Sequence, residues 1–182
     1  MVTMPKVEKG QQFPDFTFHD VFYGEQKFYQ RKGSQHTILL FLRFMGCRFT
    51  QYDMMQMQKK YKDFQKKDTQ VLVVVQSPVE TVCGYFTPET QPMTIICDPD
   101  AVLYQKFSVL PAKTREEINT KGFYDKLKII NDTNLVKGKP EGNPLQVPAI
   151  FIMNVGNIVE YVHYGKDEAD IPTPSEILEL IP

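Results

Sequence analysis

The stretch that decides the reading runs from Ile38 to Met54, "ILLFLRFMGCRFTQYDM". Residues 38–41 are a continuous apolar run of the kind that fills a strand covered on both faces. The run leads to Gly46-Cys47, and the chain then turns polar through Arg48, Thr50, Gln51 and Asp53. Met54, Met57, Tyr61 and Phe64 recur at helical spacing among lysines and glutamines, so residues 50–67 are expected to form an amphipathic helix. A lone cysteine where a strand gives way to a helix is either a core thiol or a nucleophile. Free cysteine is commonly buried. A thiolate at a helix N-terminus, however, meets unpaired N–H groups and the positive end of the macrodipole, which favour the anion. The glycine before Cys47 and the arginine after it argue for the nucleophile, and Arg43 and Arg48 are close enough in sequence to add positive potential.

Outward from this stretch the chain alternates strands and helices. Upstream, "FPDFTFHD" and "YGEQKFY" suggest a short hairpin turning at Tyr23-Gly24. Downstream, "VLVVVQ" (71–76) reads as a second buried strand. Ser77-Pro78 with Glu80 reads as a helix start, with Ser77 as the cap and the helix running to about Phe86. "MTIICD" reads as a third strand ended by Asp98-Pro99, and residues 101–107 as a short helix. Residues 111–146 are charged and rich in Gly and Pro toward their end; they read as an insertion holding one helix around 116–130. "AIFIMN" and "NIVEYVHY" flank Val155-Gly156-Asn157, a hairpin signal, and residues 174–181 close the chain as a helix. Helix-linked early strands imply parallel pairing, and the late hairpin adds antiparallel strands.

Bulk properties narrow the function. The chain has 182 residues, 42% hydrophobic and 24% charged, enough for one packed domain. A formal net charge of −1 gives no hint of a nucleic-acid or membrane surface. No run approaches the roughly 20 apolar residues of a membrane span, and the first residues lack the apolar core of a signal peptide, so a cytoplasmic location is expected. Three cysteines, Cys47, Cys83 and Cys97, are an odd set without zinc-ligand spacing, and only three histidines accompany them. No metal is expected, and any cysteine chemistry is thiol chemistry.

The order of elements, with a cysteine at the end of the first central strand and an X-Pro before the late hairpin, is the thioredoxin arrangement. "FLRFMGCRFTQ", "CDPDAVLYQKFSV" and "NPLQVPAIFIMNVGNIVEYVHYGKDEADIP" resemble the alkyl hydroperoxide reductase/thiol-specific antioxidant superfamily in its peroxiredoxin-like redoxin branch, across Gln12 to Ile181. The resemblance implies one α/β domain over residues 1–182: a thioredoxin-like three-layer α/β/α sandwich with a mixed central sheet, an N-terminal hairpin, and the 111–146 insertion before a cis-proline loop. It implies a thiol oxidoreductase that uses Cys47 as nucleophile on disulfides or peroxides. No cofactor is implied. The partner would be a thiol reductant such as a thioredoxin or a small thiol, and a homodimer is left open.

The resemblance also assigns residues. Cys83 lies where one single-chain peroxiredoxin type carries its resolving cysteine; the alternative is a core thiol on an amphipathic helix. Val147-Pro148 resembles the proline loop whose cis peptide faces the active cysteine, with Val147 as an apolar wall and Gln146 as a polar contact to substrate. Cys97 reads as core. His163 and Lys166 share the resemblance without a catalytic role, and Tyr164 and Asp170 read as organisers of the last loop.

The chain departs from the family pattern at four positions. Much of the branch has a second cysteine three residues after the first; Thr50 stands here, so no local dithiol exists. Its hydroxyl is either a donor to the thiolate or an ordinary first-turn group. The proline and threonine of P-x-x-x-T-x-x-C are replaced by Leu40 and Phe44, and the peroxide-binding arginine by Pro148. Arg43 is the candidate substitute in one alternative reading, a true peroxidase. A non-catalytic module holding an extended peptide is the other.

Overall fold

The computed structural model describes residues 5–181. Strands β1 (Thr17–Asp20), β2 (Gly24–Lys27), β3 (His36–Phe41), β4 (Thr69–Val75), β5 (Thr94–Cys97), β6 (Ala149–Asn154) and β7 (Val159–Tyr164) form one sheet in the order β2-β1-β5-β4-β3-β6-β7. The centre, β5-β4-β3, is parallel, and β6 pairs antiparallel with both β3 and β7. Helices are α1 (Phe28–Arg31), α2 (Arg48–Lys66), α3 (Val79–Cys83), α4 (Val102–Lys106), α5 (Arg115–Ile118), α6 (Lys121–Asn131) and α7 (Pro174–Leu180).

Strand alternation sends successive side chains to opposite faces, and both faces here are dry. Ile38, Leu40, Val71, Val73, Ile95, Ile150 and Ile152 pack beneath Met54, Met57 and Phe64 of α2 and Ile177 of α7. Leu39, Phe41, Leu72, Val74, Ile96 and Phe151 face the other way, against Leu103 and Tyr104 of α4 and the aromatic group Phe13, Phe16, Phe28 and Phe107. Each such side chain contributes about 1.5–3 kcal/mol relative to exposure. The result is the three-layer sandwich expected, with the N-terminal hairpin paired Thr17 to Lys27 and turned through residues 21–23 into Gly24, whose φ is +70°.

Tyr104 ties the last rung of the parallel sheet to the loop that follows. It is fully buried, and its hydroxyl lies 2.7 Å from the Leu42 carbonyl and 2.9 Å from that of Val74. The Val74 carbonyl already accepts the Leu42 N–H, so in Tyr104→Phe the Leu42 carbonyl is left without its hydroxyl donor. A buried acceptor stranded this way costs about 1–3 kcal/mol. Urea unfolding should show that loss as a lower midpoint at constant m-value; an unchanged midpoint would remove Tyr104 as a pin of this loop.

Three expectations are corrected. The insertion holds two helices, not one. Thr114 caps α5 through the Glu117 N–H, the chain breaks at Asn119, and Thr120 caps α6 through the Phe123 N–H. Ser77 does not cap α3: its hydroxyl accepts the Met45 N–H at 2.9 Å, Pro78 occupies the cap position, and regular helix ends at Cys83. The Val147–Pro148 bond is trans, since the described residues contain no cis peptide. Pro148 enters β6 in line with the strand. Its carbonyl accepts the Gly165 N–H at 2.8 Å and so extends the β6–β7 ladder by a rung beyond Ala149–Tyr164. An extended entry needs no reversal, and trans is the default for X-Pro.

Candidate active site

Leaving β3, the chain runs through Leu42 and Arg43, turns with the Cys47 N–H donating to the Phe44 carbonyl at 3.0 Å, and enters α2. Cys47 is the N-cap residue, extended at φ −82° and ψ 122°, and its carbonyl accepts the Gln51 N–H. Its sulfur makes no capping bond to the first turn. What holds it is Arg43, whose Nη1 donates to Cys47 Sγ at 2.9 Å. The helix N-terminus thus positions the thiol, and a guanidinium supplies the direct contact.

Arg43 is held through its backbone and both terminal nitrogens, while its buried Nε has no partner. Its backbone N–H donates to Thr50 Oγ1 at 3.2 Å, its Nη2 to the Pro144 carbonyl at 2.6 Å, and its Nη1 also reaches Glu168 Oε2. Thr50 is therefore an anchor for Arg43. Both side chains of the Arg43–Glu168 pair are buried. Arg115, half exposed, donates to Glu168 Oε1 at 3.0 Å, so one carboxylate bridges two guanidiniums. Burial pushes the Glu168 carboxyl above its ordinary range, and the two arginines pull it back.

A cavity of about 240 Å³ opens at Cys47, lined among others by Arg43, Phe44, Arg48, Phe49, Arg115 and Glu168. Residues 136–144 of the insertion lie over the nucleophile. The Gly138 N–H donates to the Gly46 carbonyl at 2.9 Å, and Gln51 Nε2 donates to the carbonyls of Met45 and Val136. The approach demands glycine on both sides. A Cβ on Gly46 would sit 2.1 Å from the Lys139 carbonyl oxygen, and one on Gly138 would sit 3.0 Å from Gly46 Cα and 2.7 Å from the Tyr85 hydroxyl.

The proline-loop residues lie elsewhere. Gln146 is buried, with Oε1 accepting from Gln76 and Nε2 donating to the carbonyls of Val109 and Val147. None of Gln146, Val147 and Pro148 lines the cavity at Cys47. The expectation that they form a substrate platform there is corrected: Gln146 spends its amide locking the loop, and the trans Pro148 carries the chain straight into β6. Cys83, at the end of α3, is exposed. Cys97 is buried in β5, and its thiol is pushed up to about 12, by desolvation first and then by Cys83, Asp20 and Glu80. His163 Nε2 lies 2.9 Å from Asp170 Oδ1, and Asp170 also accepts the Lys166 N–H, so this group organises the last loop.

The AhpC/TSA family profile matches residues 9–162. The chain belongs to that family. Among solved structures it is similar to a 2-Cys peroxiredoxin of Plasmodium vivax (16% identity over 95% of this chain and 79% of the other, TM-score 0.68). Peroxiredoxin 6 of Arenicola marina (17%, 96% and 72%, 0.69) and a thiol peroxidase of Chromobacterium violaceum (12%, 98% and 88%, 0.64) share the fold as well. No curated protein sequence matches significantly. As an AhpC/TSA protein, the chain is a peroxiredoxin-like thiol oxidoreductase. Sequence reasoning missed Glu168 and Arg115. They lie 125 and 72 positions from Arg43 by residue number, and no local pattern links them; a buried arginine in search of a carboxylate is the only signal the sequence carries.

Proposed function

We propose that the chain is a peroxidase in which Arg43 takes the place of the family's missing peroxide-binding elements. The observation that carries this reading is the Arg43 guanidinium 2.9 Å from Cys47 Sγ at the wall of a cavity. The Cys47 thiolate attacks the terminal peroxide oxygen. The S–O bond forms as the O–O bond breaks, and the sulfur is oxidised to a sulfenic acid. The leaving oxygen departs as hydroxide or alkoxide and takes a proton from water. Arg43 donates to the oxygen on which charge develops, the role a preorganised donor performs best in a water-poor site. Cys83, or an external thiol, then attacks the sulfenic sulfur and releases water. An external thiol, such as a thioredoxin or small thiol of a reducing cytoplasm, supplies the two electrons that restore the enzyme.

With Pro148 trans and outside the cavity, the proline loop offers a bound extended peptide no backbone platform beside Cys47. This disfavours the binding module and protein-disulfide substrates relative to peroxides.

One equivalent of hydrogen peroxide in the presence of dimedone should label Cys47 first, by mass spectrometry. Exposed Cys83 should lag because no guanidinium holds its sulfur. Cys97 should not react, because a thiol titrating near 12 is ionised in roughly one part in 10⁵ at neutral pH. Label on Cys83 with Cys47 intact would overturn the assignment.

A further inference from the structure

We propose that the substrate is an organic hydroperoxide carrying an anionic group. The inference rests on the peroxidase reading and concerns what surrounds the reacting sulfur. Four cationic side chains, Arg43, Arg48, Arg115 and Lys137, line the cavity, against a single carboxylate, Glu168. Glu168 is already shared between Arg43 and Arg115. Three acids of neighbouring segments do not line the cavity and hold other partners, although Glu141 keeps one buried oxygen unpaired. Asp167 accepts from Thr120, Glu141 from Thr81, and Asp53 from Lys126 at 2.6 Å. No ion pair among the described residues engages Arg48 or Lys137. A chain of net charge −1 has thus gathered positive charge at its nucleophile, more than one thiolate balances.

The cavity is also larger than a small peroxide needs, and part of its wall is apolar. Its volume of about 240 Å³ far exceeds the roughly 10–15 Å³ that one water requires. Phe44, Phe49, Phe123, Pro140 and Pro144 supply its apolar wall. An apolar body would lie on these rings, with its hydroperoxide at Cys47 and its anionic group toward Arg48 and Lys137. A cleft of one charge sign with low-dielectric walls concentrates ligands of the opposite sign. The chemistry is unchanged: S–O forms, O–O breaks, and the product is the corresponding alcohol.

The test compares cumene hydroperoxide with its para-carboxylate, using hydrogen peroxide as a reference and a fixed small-thiol reductant. At low ionic strength the carboxylate should show kcat/KM at least tenfold higher than the neutral compound. That advantage should shrink severalfold in 0.5 M salt, where the Debye length falls below about 5 Å. It should also shrink in the Arg48→Gln/Lys137→Gln variant, whose sites are half-buried and exposed. Equal rates for the two compounds, or an advantage that survives the double variant, would overturn the inference and leave the peroxidase reading standing. If none of the three peroxides oxidises Cys47 in a single turnover without reductant, both readings are overturned.

Discussion

Replacing Arg43 with methionine is expected to lower kcat/KM for peroxide about 100- to 1,000-fold, the cost of removing one preorganised donor to developing charge. The same substitution also leaves Glu168 buried with only Arg115, which is half exposed. Breaking a buried pair from one side costs about 3–5 kcal/mol, so Arg43→Met alone confuses lost chemistry with lost stability. Arg43→Met/Glu168→Leu separates them. An apolar pair of similar volume is often neutral relative to a buried ion pair, so the double variant should regain most of the thermal stability and none of the rate. Arg43→Lys should behave nearly as badly as Arg43→Met. One ammonium cannot reproduce the planar fork that reaches Cys47 Sγ, Glu168 and the Pro144 carbonyl together. A stable double variant with near-normal peroxide kinetics would eliminate Arg43 from the chemistry.

The burial of Glu168 also gives the reaction an acid limb. Its carboxyl titrates above the ordinary range, so as pH falls it takes up a proton earlier than a surface glutamate would. Protonated, it no longer balances the two guanidiniums or fixes Arg43 on the sulfur. Activity should therefore fall toward acid pH starting above the usual carboxylate range, and Glu168→Gln should lose that dependence.

What the sequence disclosed, and what it withheld, follows from the range of the forces involved. The sheet and α2 are legible because period-2 and period-3.6 patterns are local and tertiary burial merely ratifies them; Met54, Met57, Tyr61 and Phe64 face the core as their spacing requires. Cys47 stands at the strand-to-helix junction for the same reason. The break between α5 and α6 was readable too, in Thr114 with Glu117 three residues on and in Thr120, but the continuous charge pattern masks it. Ser77 misleads because a tertiary acceptor role, toward Met45, outcompetes the local capping role. Pro148 misleads differently. The intrinsic trans preference of X-Pro is the better guide here, and the family resemblance points the other way. The Glu168 bridge belongs to a third class. It links Arg43 to a loop beyond β7, so only the assembled topology brings its members together.

The intrachain disulfide between Cys47 and Cys83 should form only when the insertion lifts from the active-site turn. Gly138 sits between Gly46 on one side and Tyr85, two residues past Cys83, on the other. Thr81 of α3 bonds Glu141 of the same segment. The segment is thus wedged between the elements that carry the two thiols, and bridging requires Cα atoms within about 7 Å. Gly46→Ala tests this because its new Cβ cannot coexist with the Lys139 carbonyl 2.1 Å away; backbone faces backbone, so the segment must move. Overpacking of this kind costs about 1–3 kcal/mol, and the cost falls on the closed arrangement. An opening equilibrium shifted by that amount rises about 5- to 150-fold, at 1.4 kcal/mol per factor of ten. The rate of disulfide formation after a peroxide pulse, read by acid quench and non-reducing mass spectrometry, should rise with it. In the wild-type protein, amides of residues 136–143 should lose hydrogen-exchange protection on oxidation, and Cys83→Ser should abolish both the disulfide and that loss. A Gly46→Ala protein that forms the disulfide no faster than wild type would show that the segment does not gate it. A Cys47 sulfenic acid that persists until external thiol is added would mean that Cys83 takes no part and that the cycle runs on one cysteine.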